Sequence, residues 1–215
     1  MSFTICDYEQ RSPGWFEARL GRLTGSRAAD MLATIKSGEA AARRDLRTQL
    51  VLERITGQSQ ENGYINADMQ RGTEKEPDAL AAYEALTGNL ARGVGFLAHD
   101  VLKAGCSPDG EIGGFVGLLE LKCPKSATHL GYLKAKTVPK DYHAQMVHAL
   151  WITGAQWCDF LSFDDRFSPE LQTFLVRVKR SGVDIDGYER KALAFLAEVE
   201  AEYLAIKTMT KGVAA

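Results

Sequence analysis

At 215 residues, with 45% hydrophobic and 25% charged positions, the chain has the size and composition of one soluble globular domain with room for a real core. No apolar run approaches the roughly 20 residues of a membrane span, and no basic-then-apolar leader opens the chain. The expectation is therefore a cytoplasmic protein with no membrane partner. A net charge of −2 carries no global basic signature, so any affinity for phosphate has to come from local patches.

The chain opens with an arginine-rich segment. Pro13 and Gly14 suit a helix start, Trp15, Phe16 and Leu20 an apolar stripe, and Thr24, Gly25 and Ser26 the entry to a second short helix. Arg11, Arg19, Arg22 and Arg27 cluster here with hydroxyl side chains. Hydroxyls and free N–H groups at a helix start, completed by a guanidinium, form an anion site. From Glu39 to Thr56 the pattern is strongly helical and stops at Gly57. Arg43, Arg44 and Arg47 share one side of that helix, and the spacing is compatible with either a solvated face or one that follows a phosphate backbone. Residues 57 to 63 read as a polar loop.

The next helix spans Asn66 to Leu86, with Asn66 as its cap and Gly88 just beyond its end. Glu76 precedes Pro77 inside the pattern, which implies a break there. Three short strands follow, Val94 to His99, Lys103 to Asp109 and Phe115 to Lys122. The segment with Lys125, Lys134, Lys136 and Lys140 reads as a basic loop. A helix then starts at Pro139 and ends at Gly154, with Tyr142, Met146, Ala149 and Leu150 inward and Asp141, Gln145 and His148 on a polar face. Strands at Gln156 to Phe163 and Gln172 to Lys179 precede a last helix from Asp186 to about Lys207, and the tail from Thr208 reads as frayed. This order predicts an α/β fold, a mixed central sheet with helices on both faces. The four cysteines, Cys6, Cys106, Cys123 and Cys158, have no paired zinc spacing and read as reduced and structural.

The chemistry concentrates between Cys106 and Pro124. Residues two apart on a strand share a face, so Glu120 and Lys122 project together while Leu119 and Leu121 point the other way. The Gly113-Gly114 pair lets the chain reverse and returns Asp109 beside Glu120. Two carboxylates and one ammonium in so small a volume call for a hard divalent cation, Mg²⁺ or Mn²⁺, to which the Leu121 carbonyl adds another oxygen. Such an ion activates water against a phosphodiester. Lys122 would hold that water and offset the charge on phosphorus, and Glu76 would complete the shell directly or through water. No serine-hydrolase elbow, nucleotide-binding loop or metalloprotease histidine spacing competes with this reading.

Five segments in this order resemble the phage lambda-type (YqaJ-like) exonuclease family of the PD-(D/E)XK nuclease superfamily. They are WFEARLGRLTGS at Trp15–Ser26, RGTEKEPDA at Arg71–Ala79, CSPDG at Cys106–Gly110, LELKCP at Leu119–Pro124 and YHAQMVHALWIT at Tyr142–Thr153. The resemblance implies a restriction-endonuclease-like core in a single nuclease domain, residues 1–215. Its core is expected at about 66–164, a helical DNA-end-binding part at about 1–65 and a closing strand and helix at about 170–208. It implies a Mg²⁺-dependent, processive 5′→3′ exonuclease on double-stranded DNA with a free 5′-phosphorylated end, using one or two ions. Asp109, Glu120 and the Leu121 carbonyl match the metal ligands, Lys122 the catalytic lysine, Glu76 the helix acid and Gln145 the glutamine beside the site. Arg19, Thr24, Ser26 and Ser107 match the 5′-phosphate pocket. A ring-shaped homotrimer and a single-strand annealing recombinase partner follow from the same resemblance, in a bacterial host and of phage or prophage origin. The alternatives are a metal-dependent endonuclease or nickase on the same fold, and a non-catalytic DNA-binding protein. The charge expectation is that basic groups line the ring while the acidic last helix, with Glu189, Glu198, Glu200 and Glu202, faces outward.

Overall fold

A computed structural model describes residues 2–60 and 66–209. The first half contains β1 (Phe3–Cys6), α1 (Pro13–Arg19), β2 (Leu23–Thr24), α2 (Ala28–Met31), α3 (Ala41–Thr56), α4 (Ala67–Glu74) and α5 (Glu76–Thr87). The centre contains four strands, β3 (Phe96–His99), β4 (Ala104–Cys106), β5 (Gly110–Ile112) and β6 (Gly117–Lys122). Then come α6 (Ser126–Ala135), α7 (Lys140–Thr153), β7 (Trp157–Phe163), β8 (Thr173–Lys179) and α8 (Ile185–Met209). Part of the loop expected at 57–63, and the end of the tail beyond Thr208, lie outside the described residues.

Caps set the helix limits. Gly57, Gly88 and Gly154 adopt left-handed φ of 68°, 71° and 75° directly after α3, α5 and α7, where a side chain would be strained. Asn66 accepts from the Met69 N–H and starts α4. The break at Glu76 is present: α4 ends at Glu74, Lys75 separates the two helices, and Pro77 enters α5 within its first turn, where a missing N–H costs nothing.

Two mixed four-stranded sheets carry the fold, in the orders β1-β3-β4-β2 and β5-β6-β7-β8. The expected mixed sheet is the second of these, and the first accompanies it. The strand expected at Lys103–Asp109 is divided between them. It ends as β4 at Cys106 in one sheet, crosses Ser107, Pro108 and Asp109, and resumes as β5 at Gly110 in the other. Within the second sheet β5 pairs antiparallel with β6, and β6 pairs parallel with β7. A parallel pair needs a long crossover, and α6 and α7 supply it. The segment expected as a lysine-rich loop is thus largely α6, and Lys125 just before it pairs with Asp68 at 2.8 Å.

Helices cover both faces of the second sheet. Leu119 and Leu121 of β6 pack with Ala79 and Tyr83 of α5. Leu118 and Phe160 face the larger cluster built from α7, α8 and α3, including Met146, Trp151, Leu50 and Phe195. Apolar burial of this kind contributes on the order of 2 kcal/mol per large side chain.

The arginine face of α3 meets the acidic face of α8. Arg43 forks onto Glu198 at 2.8 and 2.9 Å, Arg47 reaches Glu202 at 2.9 Å, and Arg54 reaches Glu200 at 3.0 Å. Three of the four glutamates of the acidic helix are thus engaged by α3 while their side chains stay partly exposed. The fourth, Glu189, accepts from the Trp151 indole at 3.1 Å. The expected polar-face position of His148 is corrected. It is fully buried, with Nδ1 at 2.6 Å from the Tyr188 hydroxyl and Nε2 at 3.0 Å from the Gly105 carbonyl.

Candidate active site

The crossing between the two sheets places Asp109. Its N–H donates to the Leu119 carbonyl at 3.0 Å, and its Oδ2 accepts from the Leu121 N–H at 2.6 Å. The hairpin that makes this possible turns at Gly113 and Gly114, with φ of 62° and 70°. Buried Glu111 braces the turn by accepting from the N–H groups of Gly114 and Phe115, both at 3.0 Å. Asp109 therefore lies beside β6 with its side chain fixed by the backbone of the strand it serves.

On β6, Glu120 and Lys122 share the face toward α7, as alternation requires. Lys122 Nζ lies 2.5 Å from Glu120 Oε1, 2.8 Å from the Leu121 carbonyl oxygen and 3.7 Å from Asp109 Oδ2. Gln145 on α7 donates to the same Glu120 oxygen at 2.7 Å. Burial raises the affinity of Glu120 for a proton, the Lys122 ammonium opposes that, and Asp109 adds to it. For Lys122, burial works against the charge, but the carboxylates of Glu120 and Asp109 outweigh it and hold the amine protonated well above its usual range.

These contacts test whether a metal ion fits. Three oxygens, from Asp109, Glu120 and the Leu121 carbonyl, already converge on one positive charge, which is what a hard divalent ion requires. Among the described residues no group of three or more His, Cys, Asp or Glu side chains is arranged to hold an ion. The fit therefore depends on the backbone carbonyl as third donor. Glu76 is not part of that convergence. It pairs with Arg11 at 3.3 Å, while burial and the nearby Asp109 raise its affinity for a proton.

A cavity of about 400 Å³ opens over these groups and is also lined by Arg11, Arg19, Ser26 and Ser107. Arg19 at the end of α1 is 8% exposed and lies with its guanidinium carbon 3.9 Å from the centre of the Trp15 ring. Trp15 Nε1 donates to Ser107 Oγ at 2.9 Å, so one indole orients both an arginine and a hydroxyl. Thr24 stands behind the wall, its Oγ1 3.3 Å from Ser26 Oγ. The other two arginines of the opening cluster are engaged elsewhere. Arg22 donates to the Leu102 carbonyl at 3.3 Å, and Arg27 pairs with Asp30 at 2.7 Å.

Two residues that sequence reasoning passed over hold this pocket in place. Glu53 of α3 accepts from the Gly21 N–H at 2.8 Å, and Arg54 donates to the Gly21 carbonyl at 2.9 Å. Together they clamp the turn between Arg19 and Thr24. The signal available in the sequence was an adjacent Glu-Arg pair in the last turn of an amphipathic helix.

A family profile for the YqaJ-like viral recombinase domain matches residues 14–156. The crystal structure of an alkaline exonuclease, LHK-Exo from Laribacter hongkongensis, is similar at 40% identity and a TM-score of 0.85, covering 94% of this chain and 100% of that one. The same protein in complex with dAMP aligns with the same figures. A phage-related exonuclease from Haemophilus somnus 129PT shares the fold at 16% identity and a TM-score of 0.67, covering 87% and 96%. No curated protein matches. With two thirds of its length under the family profile and the nuclease fold throughout, the chain belongs to the YqaJ-like viral recombinase domain family, a family of nucleases.

Proposed function

We propose that this protein is a divalent-ion-dependent 5′→3′ exonuclease that degrades one strand of duplex DNA and leaves a 3′ overhang for recombination by strand annealing. The observation that carries the reading is the position of Lys122 Nζ among oxygens of Asp109, Glu120 and Leu121, in a cavity also lined by Arg19, Ser26 and Ser107. The exonuclease activity and the dAMP complex named for LHK-Exo support it.

Asp109, Glu120 and the Leu121 carbonyl would hold Mg²⁺, or Mn²⁺ in its place, as one or two ions with Glu76 adding to the shell directly or through water. Such an ion, when bound, polarises the phosphodiester and lowers the pKa of a coordinated water. The protein supplies the rest. Gln145 fixes the rotamer of Glu120, and Lys122 neutralises charge that develops on the non-bridging oxygens. Arg19, whose planar fork suits a phosphate, grips the terminal 5′ phosphate with Ser26 and Ser107 while Thr24 backs Ser26. That grip sets which bond lies over the carboxylates. Each cut creates a new 5′ phosphate one nucleotide along, which the same pocket takes up, so processive release of mononucleotides follows from one site.

A ring-shaped homotrimer around the duplex and a single-strand annealing recombinase partner complete the reading, in the cytoplasm of a bacterial host and of phage or prophage origin. Since Arg43, Arg47 and Arg54 of α3 are paired with α8, the basic lining falls to groups such as Lys134, Lys136 and Lys140, all exposed. The test is digestion of linear against covalently closed circular duplex in Mg²⁺. An end-dependent enzyme consumes the linear form and leaves the circle intact, and nicking of the circle would contradict it.

A further inference from the structure

Arg11 stands on the wall between two cavities. It lines the one that holds Arg19, Glu120 and Lys122, and also a neighbouring one of about 510 Å³ whose wall includes Asp7, Glu9 and Glu76. Its backbone is left-handed, with φ of 70°. The turn there is closed by the Ser12 N–H on the Glu9 carbonyl at 3.1 Å, and Arg11 takes the position in it where glycine carries a positive φ without strain. A strained residue that persists beside a site points to its side chain as the reason. That side chain donates to Thr73 Oγ1 and to Glu76 Oε1, the latter at 3.3 Å.

Glu76 thus faces two claimants. One is the Arg11 guanidinium. The other is the positive charge that Asp109 and its neighbours gather, since Glu76 lies within electrostatic reach of both Asp109 and Lys122. The Arg11–Glu76 pair is about half exposed on each side, 51% and 43%, so it is weak and exchangeable. A guanidinium released from it already borders the cavity of Arg19, where a second fork suits a phosphate.

We infer that Arg11 competes with the divalent ion for Glu76 and, once displaced, becomes a phosphate ligand for the DNA strand in the cavity it shares with Arg19. The inference rests on the metal-dependent nuclease reading given above. It gives Arg11 opposite effects on the two ligands. Removing it strengthens ion binding and weakens DNA binding.

The test titrates Mn²⁺ into the DNA-free protein, read by the electron paramagnetic resonance of free Mn²⁺, and measures KM for linear duplex in Mg²⁺. Arg11→Gln should bind Mn²⁺ tighter by roughly two- to tenfold and raise KM for DNA. Glu76→Gln should weaken Mn²⁺ binding, and adding Arg11→Gln to it should bring no gain. A residue that merely braced the loop would not tighten an ion site. If Arg11→Gln melts well below the wild type, Arg11→Gly, which suits the backbone, replaces it with the same expectations. Mn²⁺ affinity unchanged or weaker in a folded Arg11 variant overturns the inference while leaving the nuclease reading intact. A wild-type protein that binds no Mn²⁺ and cuts no DNA overturns both.

Discussion

Gln145 on α7 and Glu120 on β6 meet at 2.7 Å, and the oxygen that accepts from Gln145 is the one that Lys122 approaches at 2.5 Å. A carboxylate held from both sides keeps one orientation. Loss of a group that orients a metal ligand typically costs about 10- to 100-fold in metal affinity or activity. Gln145→Ala should therefore lower kcat by about that factor, with the melting temperature nearly unchanged. Steady-state rates beside a thermal melt check this, and an unchanged kcat would detach Gln145 from the site.

Arg19 and Ser107 share one neighbour, Trp15. The guanidinium stacks on the indole at 3.9 Å, and the same indole donates to Ser107. Arg19→Lys keeps the charge but loses the fork and the stack. The variant should lose most of the preference for 5′-phosphorylated over 5′-hydroxyl ends while its kcat on long duplex falls less. Competition between the two substrates measures the preference directly. A preference as strong as that of the wild type would move the phosphate pocket elsewhere.

Much of this was legible in the sequence, for a local reason. A strand has a period of two, so the Glu120–Lys122 face and the opposite Leu119–Leu121 face follow from residue order, and the Gly113-Gly114 pair returns Asp109 to its place. Glycines after helices likewise announce their stops. What was not legible depends on distant partners. Whether the arginines of α3 meet water, DNA or protein is decided by α8, some 150 residues away, as in the Arg43–Glu198 fork. His148 lies three residues from Gln145 and shares its polar character, yet Tyr188 and the Gly105 carbonyl make it a core residue. The division of one expected strand at Ser107 and Pro108 reflects pairing with two different sheets, which no local pattern encodes. The helix α6 was masked by Gly131 and by lysines that looked like a loop.

The α3–α8 ion pairs yield a prediction that separates stability from DNA binding. Arg43 is taken up by Glu39 and Glu198. Arg43→Ala should cost about 0.5 to 1 kcal/mol of stability, less in high salt, since the pairs are partly exposed. KM for duplex should not move. Denaturant melts and kinetics together check it, and a large rise in KM would return α3 to the DNA surface.

His148 sets a pH dependence of stability. Burial pushes its pKa down to about 4, partly offset by the Gly105 carbonyl. An unfolded histidine titrates near 6.5, so between about 6.5 and about 4 the unfolded chain binds the extra proton. Stability should be full above about 6.5 and should fall on the order of 3 kcal/mol as pH drops toward 4. His148→Gln should be less stable at neutral pH but show a shallower slope in that window. Equal slopes for the two proteins in chemical denaturation would assign the acid sensitivity to other groups.

The central claim is that Asp109 and Glu120 hold the ion on which strand cleavage depends, with Lys122 beside it. The most direct measurement is Mg²⁺-stimulated release of mononucleotides from 5′-phosphorylated linear duplex by Asp109→Asn and Glu120→Gln, each shown to fold by its melt. Both changes keep the shape and remove the charge. The account predicts wild-type release only with Mg²⁺ present, and turnover in either variant reduced by about 10³-fold or more. Comparable release by both folded variants would contradict it.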